Sequence, residues 1–190
     1  MGYSRNFGFR SFENIVRDGR FRIPKDLTTG GFGGDPVIIG TAVAVDPDPT
    51  RRGLLRRPAA AEAPTPLCGI VLFEHIQFQG VDTSLVTTSD EPYNQVPPGR
   101  YAQMIHGLGA KVWFKNTADK PMYDGRVQGG GTLYDLADTA ADLDALAATV
   151  GSYLTPNADG IWVEGDADTG WLIIEQVTPA TGLIECRLTF

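Results

Sequence analysis

Glycine and proline interrupt this chain so often that long regular elements have little room in it: 23 Gly and 13 Pro are spread over 190 residues. Glycine admits left-handed backbone and proline lacks an amide hydrogen, so both mark turns and strand ends rather than helix interiors. The pattern argues against a helical bundle and for short strands joined by turns and irregular connections. Hydrophobic residues still make up 42% of the sequence, and a chain of this length holds one core with extensions. The expected fold is mainly β: a compact β-barrel or sandwich-like body with one short helix and an extended N-terminal arm.

Strand expectations follow from β-branched content and alternation. Val37, Ile38, Ile39, Val43 and Val45 give Pro36 to Val45 strand character, and Leu67 to Phe78 and Tyr101 to Lys115 read the same way. Gly160 to Glu164 and Trp171 to Val177 read as two strands joined as a hairpin through Gly165-Asp166-Ala167-Asp168-Thr169-Gly170. At the C-terminus Ile184, Cys186, Leu188 and Phe190 fall on one face, with Leu183, Glu185, Arg187 and Thr189 on the other, the alternation of a half-buried strand. A short strand is expected at Met122-Tyr123. Residues 132–150 are the helical candidate, since Leu136, Ala140, Leu143, Ala147 and Val150 recur at spacings of four and three.

Charge divides the chain. Residues 1–25 carry Arg5, Arg10, Arg17, Arg20, Arg22 and Lys25 against Glu13 and Asp18, a net +4, whereas residues 58–190 sum to −11 and the whole chain to −7. Tyr3, Phe7, Phe9, Phe12 and Phe21 are interleaved with the arginines. An acidic body repels duplex nucleic acid and anionic lipid, so neither direct nucleic-acid binding nor membrane association is expected. Burying each arm aromatic is worth roughly 1.5 to 3 kcal/mol, which favours docking of the arm on a protein surface, including that of another copy. Arg5, Phe7, Phe9, Arg10, Phe12, Arg17, Arg20, Phe21 and Arg22 are the expected partner-binding residues. The arm and a glycine hinge at Gly30 to Gly34 occupy residues 1–34. The body occupies residues 35–190, with a Pro/Ala/Arg-rich loop at 46–66 that contains the pairs Arg51-Arg52 and Arg56-Arg57.

Chemical signatures are weak by comparison. The glycine cluster lacks the Lys-Ser or Lys-Thr and the following helix of a phosphate loop. Asp159, Glu164, Asp166 and Asp168 do not have calcium-loop spacing and read as acidic turn residues, and no cofactor or metal is expected. Asp138 and Asp142 stand four apart among other aspartates and alanines, as on a solvated helix face. His75 and His106 have no nucleophile or carboxylate at catalytic spacing. Trp113, Trp162 and Trp171 read as core, with a sugar-stacking platform as the alternative. Cys68 and Cys186 lie in apolar contexts and read as buried thiols, with a disulfide possible if their strands are neighbours. There is no apolar signal-peptide core at the N-terminus and no run of about 20 apolar residues, which suggests assembly in the cytoplasm.

The order of Ala110-Lys111-Val112-Trp113-Phe114-Lys115, Asp119-Lys120-Pro121-Met122-Tyr123-Asp124-Gly125, Ile161-Trp162-Val163 and Gly182-Leu183-Ile184-Glu185-Cys186-Arg187-Leu188 resembles the β-rich decoration, or head cement, proteins of tailed-bacteriophage capsids. The similarity covers somewhat under half the chain through short apolar motifs. The basic aromatic arm, residues 46–66 and the helical segment at 132–150 depart from the family pattern. The resemblance implies a non-enzymatic virion protein on the outer capsid surface that stabilises the shell by bridging major capsid protein subunits, often as a homotrimer. A tail, neck or fibre-associated structural protein is the alternative, followed by a carbohydrate-binding module built on Trp162 and Trp171.

Overall fold

A computed structural model describes residues 7–9, 16–35, 37–38, 40–74, 95–96, 98–115, 150–181 and 183–190. The chain is mainly β, built from two antiparallel sheets and a two-stranded ribbon. The helix expected over 132–150, apart from Val150, and the strand expected at Met122-Tyr123 lie outside the described residues.

Six strands form the first sheet, in the order β1 (Phe7–Phe9), β9 (Lys111–Lys115), β13 (Leu183–Leu188), β12 (Leu172–Thr178), β10 (Tyr153–Pro156) and β11 (Trp162–Gly165). The C-terminal alternation decides how β13 sits: Ile184, Cys186 and Leu188 are fully buried, while Leu183, Glu185 and Arg187 are half-buried on the other face. Its neighbour β12 carries a bulge, because Ile174 pairs with Cys186 and Gln176 with Glu185, leaving Glu175 without a partner across the ladder.

Five strands form the second sheet, in the order β2 (Val16–Arg22), β8 (Tyr101–His106), β6 (Cys68–Glu74), β4 (Ala42–Val45) and β5 (Leu55–Arg56). Both faces of its inner strands are covered, which is why β4 and the Cys68–Val71 part of β6 are apolar runs without a polar alternate. Ala42, Ala44, Cys68, Ile70 and Ile105 face the six-stranded sheet, packing with Val112, Phe114, Trp162, Trp171 and Leu188. Val43, Val71, Ala102 and Met104 face a second core with Ile23, Phe32, Val37, Leu55 and Val96. Gly69 makes this double packing possible, since a Cβ there would lie 2.1 Å from the Met104 Cγ.

This second core is the interior of a nearly closed barrel. Its two edges meet where Arg22, at the end of β2, bridges Leu54 in parallel and donates its N–H to the Gly53 carbonyl at 2.8 Å. Closure removes an exposed sheet edge. The ribbon of β3 (Val37–Ile38) and β7 (Gln95–Val96) contributes Val37 and Val96 to the barrel interior.

Three sequence expectations change. The run Pro36 to Val45 is two strands, separated at Gly40, whose φ of 92° no β-branched residue adopts comfortably. The run Tyr101 to Lys115 is likewise β8 and β9, divided by a turn at Gly107 to Ala110 in which the Ala110 N–H reaches the Gly107 carbonyl. The expected hairpin of Gly160 to Glu164 with Trp171 to Val177 does not form. Instead β10 lies between β11 and β12 and pairs with both. The Asn157 side chain makes β10 and β11 the true hairpin, its Oδ1 accepting from the Asp159 and Ile161 amides while Gly160 takes φ 79°.

Candidate docking surface

The described part of the expected arm is woven into the sheets. In β1, Phe7 stands opposite Phe114 and Phe9 opposite Val112 at one edge of the six-stranded sheet. In β2, Arg17 pairs with Ile105, Phe21 with Ala102 and Arg22 with Tyr101. Arg5, Arg10 and Phe12 lie outside the described residues. Ile23, 0% exposed, and Phe32, 2% exposed, share the barrel core with Val37 and Val43.

The glycine cluster read as a hinge is a packed turn. Gly30, Gly31, Gly33 and Gly34 all have positive φ, and the turn they make drives Phe32 into the barrel. A Cβ on Gly30 would sit 2.6 Å from the Leu55 carbonyl oxygen, and the real Gly30 carbonyl accepts from the Arg57 amide.

Alternation along the end of β2 sorts the predicted residues. Phe21 and Ile23 point toward the barrel core, Phe21 half-buried against it, whereas Arg20 and Arg22 are exposed. Phe21 therefore serves the barrel rather than standing free as an anchor; the Arg20 guanidinium lies 5.8 Å from its ring centroid.

Barrel closure then collects cations that are far apart in sequence. Arg52 is exposed beside Gly53, whose carbonyl holds the Arg22 amide. Arg100 is exposed at the start of β8, and its carbonyl accepts from the Ile23 amide at 2.9 Å. Lys25 lies across Gly99, where a Cβ would be 3.5 Å from the Lys25 Cβ. Tyr101, 43% exposed, faces Arg22 across the ladder. Backbone pairing thus brings Arg20, Arg22, Lys25, Arg52 and Arg100 to the same margin of the barrel as the exposed Tyr101, a basic seam on a chain whose net charge is −7. Two acidic residues close in sequence to these cations are engaged locally. Asp26 accepts from Thr28 and Thr29, bonds that hold its carboxyl down to about 2, and Asp48 accepts from Thr50 and lies 3.7 Å from Arg51.

The Pro/Ala/Arg-rich segment is ordered by its own contacts. It contains a 3-10 turn at Pro49–Arg51 and the strand β5, and Arg56 clasps Glu62 through two bonds of 2.8 and 2.6 Å. Those bonds, chiefly, keep the Glu62 carboxyl below the usual range. The Glu62 carbonyl in turn accepts from the Trp171 indole at 2.7 Å. Arg57 pairs with Asp159 and stands 5.7 Å from the Phe32 ring centroid.

Other residues singled out in the sequence fall elsewhere. Trp162 and Trp171 are fully buried, edge to face at 6.1 Å, and Trp162 donates to the Gly40 carbonyl, so neither ring is presented to a sugar. Trp113 is half-buried on the outer face of the six-stranded sheet, opposite Gly8 and Glu185. On that face Glu175 joins Lys111 and Arg187 at 2.8 and 3.0 Å. Cys68 and Cys186 are buried free thiols within the same inter-sheet core. His106 ends β8, while His75, Asp138 and Asp142 lie outside the described residues. Glu164, Asp166 and Asp168 are exposed at the β11–β12 connection, where Asp166 Oδ1 accepts from the amides of Asp168 and Thr169 and from the Thr169 hydroxyl. Among the described residues no three of His, Cys, Asp and Glu gather closely enough to hold a metal ion.

Lys25, Arg52, Arg100 and Tyr101 are missing from the site expected on sequence grounds. Lys25 among the basic residues of the arm and the pair Arg51-Arg52 are its local signals, and nothing local joins them to Arg100 and Tyr101, because the seam exists only once β2 closes the barrel.

No protein-family model matches this chain, and no curated protein matches it.

Proposed function

We propose that this chain is a non-enzymatic structural protein of a bacteriophage virion, which binds the outer capsid surface and stabilises the shell by bridging major capsid protein subunits. The observation that carries the proposal is the basic seam. Five exposed cations stand with Tyr101 along one margin of the nearly closed barrel on an otherwise acidic molecule, their backbone held by barrel hydrogen bonds rather than by a loose tail. Such a face suits an acidic protein surface, and its positions are set before binding, which lowers the ordering cost of docking. Residues Arg5, Phe7, Phe9, Arg10, Phe12 and Arg17 extend the same basic, aromatic character toward the N-terminus. Many copies on one shell make weak individual contacts add up. The resemblance of residues 110–190 to head cement proteins supports the capsid as the partner.

The test is co-sedimentation of the purified chain with capsids of its source phage. Saturable pelleting at a stoichiometry comparable to the major capsid protein is expected, and its loss in the variant Arg20→Glu/Arg22→Glu/Arg52→Glu with an unchanged circular dichroism spectrum. A copy number of a few per particle would move the protein to the neck or tail. Undiminished pelleting of the variant would remove the seam from the attachment.

A further inference from the structure

We infer that the basic seam receives the acidic β11–β12 turn of a second copy of this chain. The inference rests on the seam being a docking face, not on the capsid being its partner.

Three of the seam cations, Arg22, Lys25 and Arg52, are exposed and make no side-chain ion pair among the described residues. On the other sheet, Glu164 and Asp168 are exposed and equally unpaired among the described residues, two residues to either side of Asp166. Asp166 fixes the shape of that turn: three bonds of 3.0 Å to its Oδ1 hold the connection and lower its carboxyl's proton affinity. Glu164 at the end of β11 and Asp166 and Asp168 in the turn after it therefore present three carboxylates, and the seam presents guanidinium and ammonium groups.

A second copy carries the same net charge of −7 and repels at long range, so the contact rests on short-range complementarity: a compact acidic turn meets the locally positive seam, whereas an extended polyanion brings negative charge along the rest of the acidic surface. Arginine forks match carboxylates in two-point geometry, and Tyr101 adds an amphipathic ring beside them. Each exposed ion pair contributes little alone, so the contact depends on several engaging together. Seam and turn are different surfaces on different sheets, which makes the contact head-to-tail; it closes as a ring when the rotation per copy permits and otherwise extends.

The test is analytical ultracentrifugation of the full chain without capsids. Association is expected at about 0.1 M salt, where charges act over about 10 Å so that the net repulsion of the two acidic bodies is screened while adjoining seam and turn still attract, and dissociation at about 1 M, where they act over about 3 Å. Arg22→Glu/Lys25→Glu/Arg52→Glu and Glu164→Lys/Asp168→Lys should each weaken association by at least about tenfold while the circular dichroism spectrum is unchanged. Asp166 is left intact so that the turn is preserved. Mixing the two variants should restore association, since each then offers the charge the other lacks. A monomer at about 0.1 M salt, association that ignores both reversals, or no rescue on mixing overturns the inference. If the chain is monomeric yet the seam variant loses capsid pelleting, the self-contact falls and the capsid proposal stands. Self-association of a chain that binds no capsid supports the self-contact and removes the capsid.

Discussion

Ile23 is the residue at which an arm and a barrel strand make opposite predictions. In a free arm its truncation costs nothing. In the structure its side chain is 0% exposed, surrounded by a core that includes Phe32, Val37, Leu55, Val96 and Met104. Its backbone is pinned by hydrogen bonds to residues 99 and 100, and Arg22 just before it is bonded to Gly53, so the walls of the site have little freedom to collapse. Ile→Ala substitutions in such sites cost about 2 to 5 kcal/mol, and the limited relaxation places Ile23→Ala near about 3 kcal/mol. With a urea slope of about 2 kcal/mol per M, the unfolding midpoint should fall by about 1.5 M. Tryptophan emission is a stringent probe, because Trp162 and Trp171 lie in the inter-sheet core and Ile23 in the barrel core. If the shared five-stranded sheet makes one cooperative unit of the two cores, emission and far-ultraviolet circular dichroism shift together. Leu27→Ala, at a position 73% exposed, is the control and should move the midpoint by less than about 0.3 M. An Ile23→Ala shift no larger than that of the control would mean that β2 does not close the barrel.

Truncation should separate the two N-terminal strands: removal of residues 1–15 takes only the edge strand β1 and should leave a cooperatively melting barrel, whereas removal of residues 1–25 takes β2 and Ile23 and should abolish that transition in calorimetry. Glu62→Gln should cost about 1 to 2 kcal/mol at neutral pH through the lost charge-assisted pair with Arg56. Because the folded-state carboxyl of Glu62 is depressed, its contribution is complete above the unfolded value of about 4.3 and disappears as pH falls through the lower folded value, so wild type and variant should converge in melting temperature in acid. Gly160→Ala should destabilise more than Gly151→Ala in denaturant titrations, for a Cβ at Gly160 would come within 2.6 Å of the Ala42 carbonyl oxygen while Gly151 opens on empty space; both share the positive-φ cost of about 1 to 2 kcal/mol. Cys68 and Cys186, whose thiols burial pushes up, should resist a thiol reagent until the chain unfolds.

Much of the fold is legible where a local rule acts alone. The alternation of Ile184, Cys186 and Leu188 names the buried face of β13 because side chains alternate on any strand, whatever its partner. Pairing is different. Nothing in Trp162–Gly165 or Leu172–Thr178 says that Tyr153–Pro156 will lie between them, and the turn-like Gly165 to Gly170 suggests the contrary. The strand β10 carries little sequence signal of its own, being a four-residue element that ends in Pro156. Likewise β4, β6 and β8 show apolar runs without revealing that one face meets a sheet and the other a barrel interior.

The amino-acid sequence alone determined that this protein is mainly β, that its cysteines sit among apolar residues, and that basic charge collects near its N-terminus, since these depend on composition and on the two-residue period of a strand. Only the tertiary structure decided that β2 closes a barrel, that the glycine cluster plugs it with Phe32, and that Lys25, Arg52, Arg100 and Tyr101 join Arg20 and Arg22 in one seam. The reason is that closure is a long-range pairing: hydrogen bonds between residues 22–23 and residues 53 and 100 set which side chains become neighbours, and no short-range pattern encodes a partner so distant along the chain.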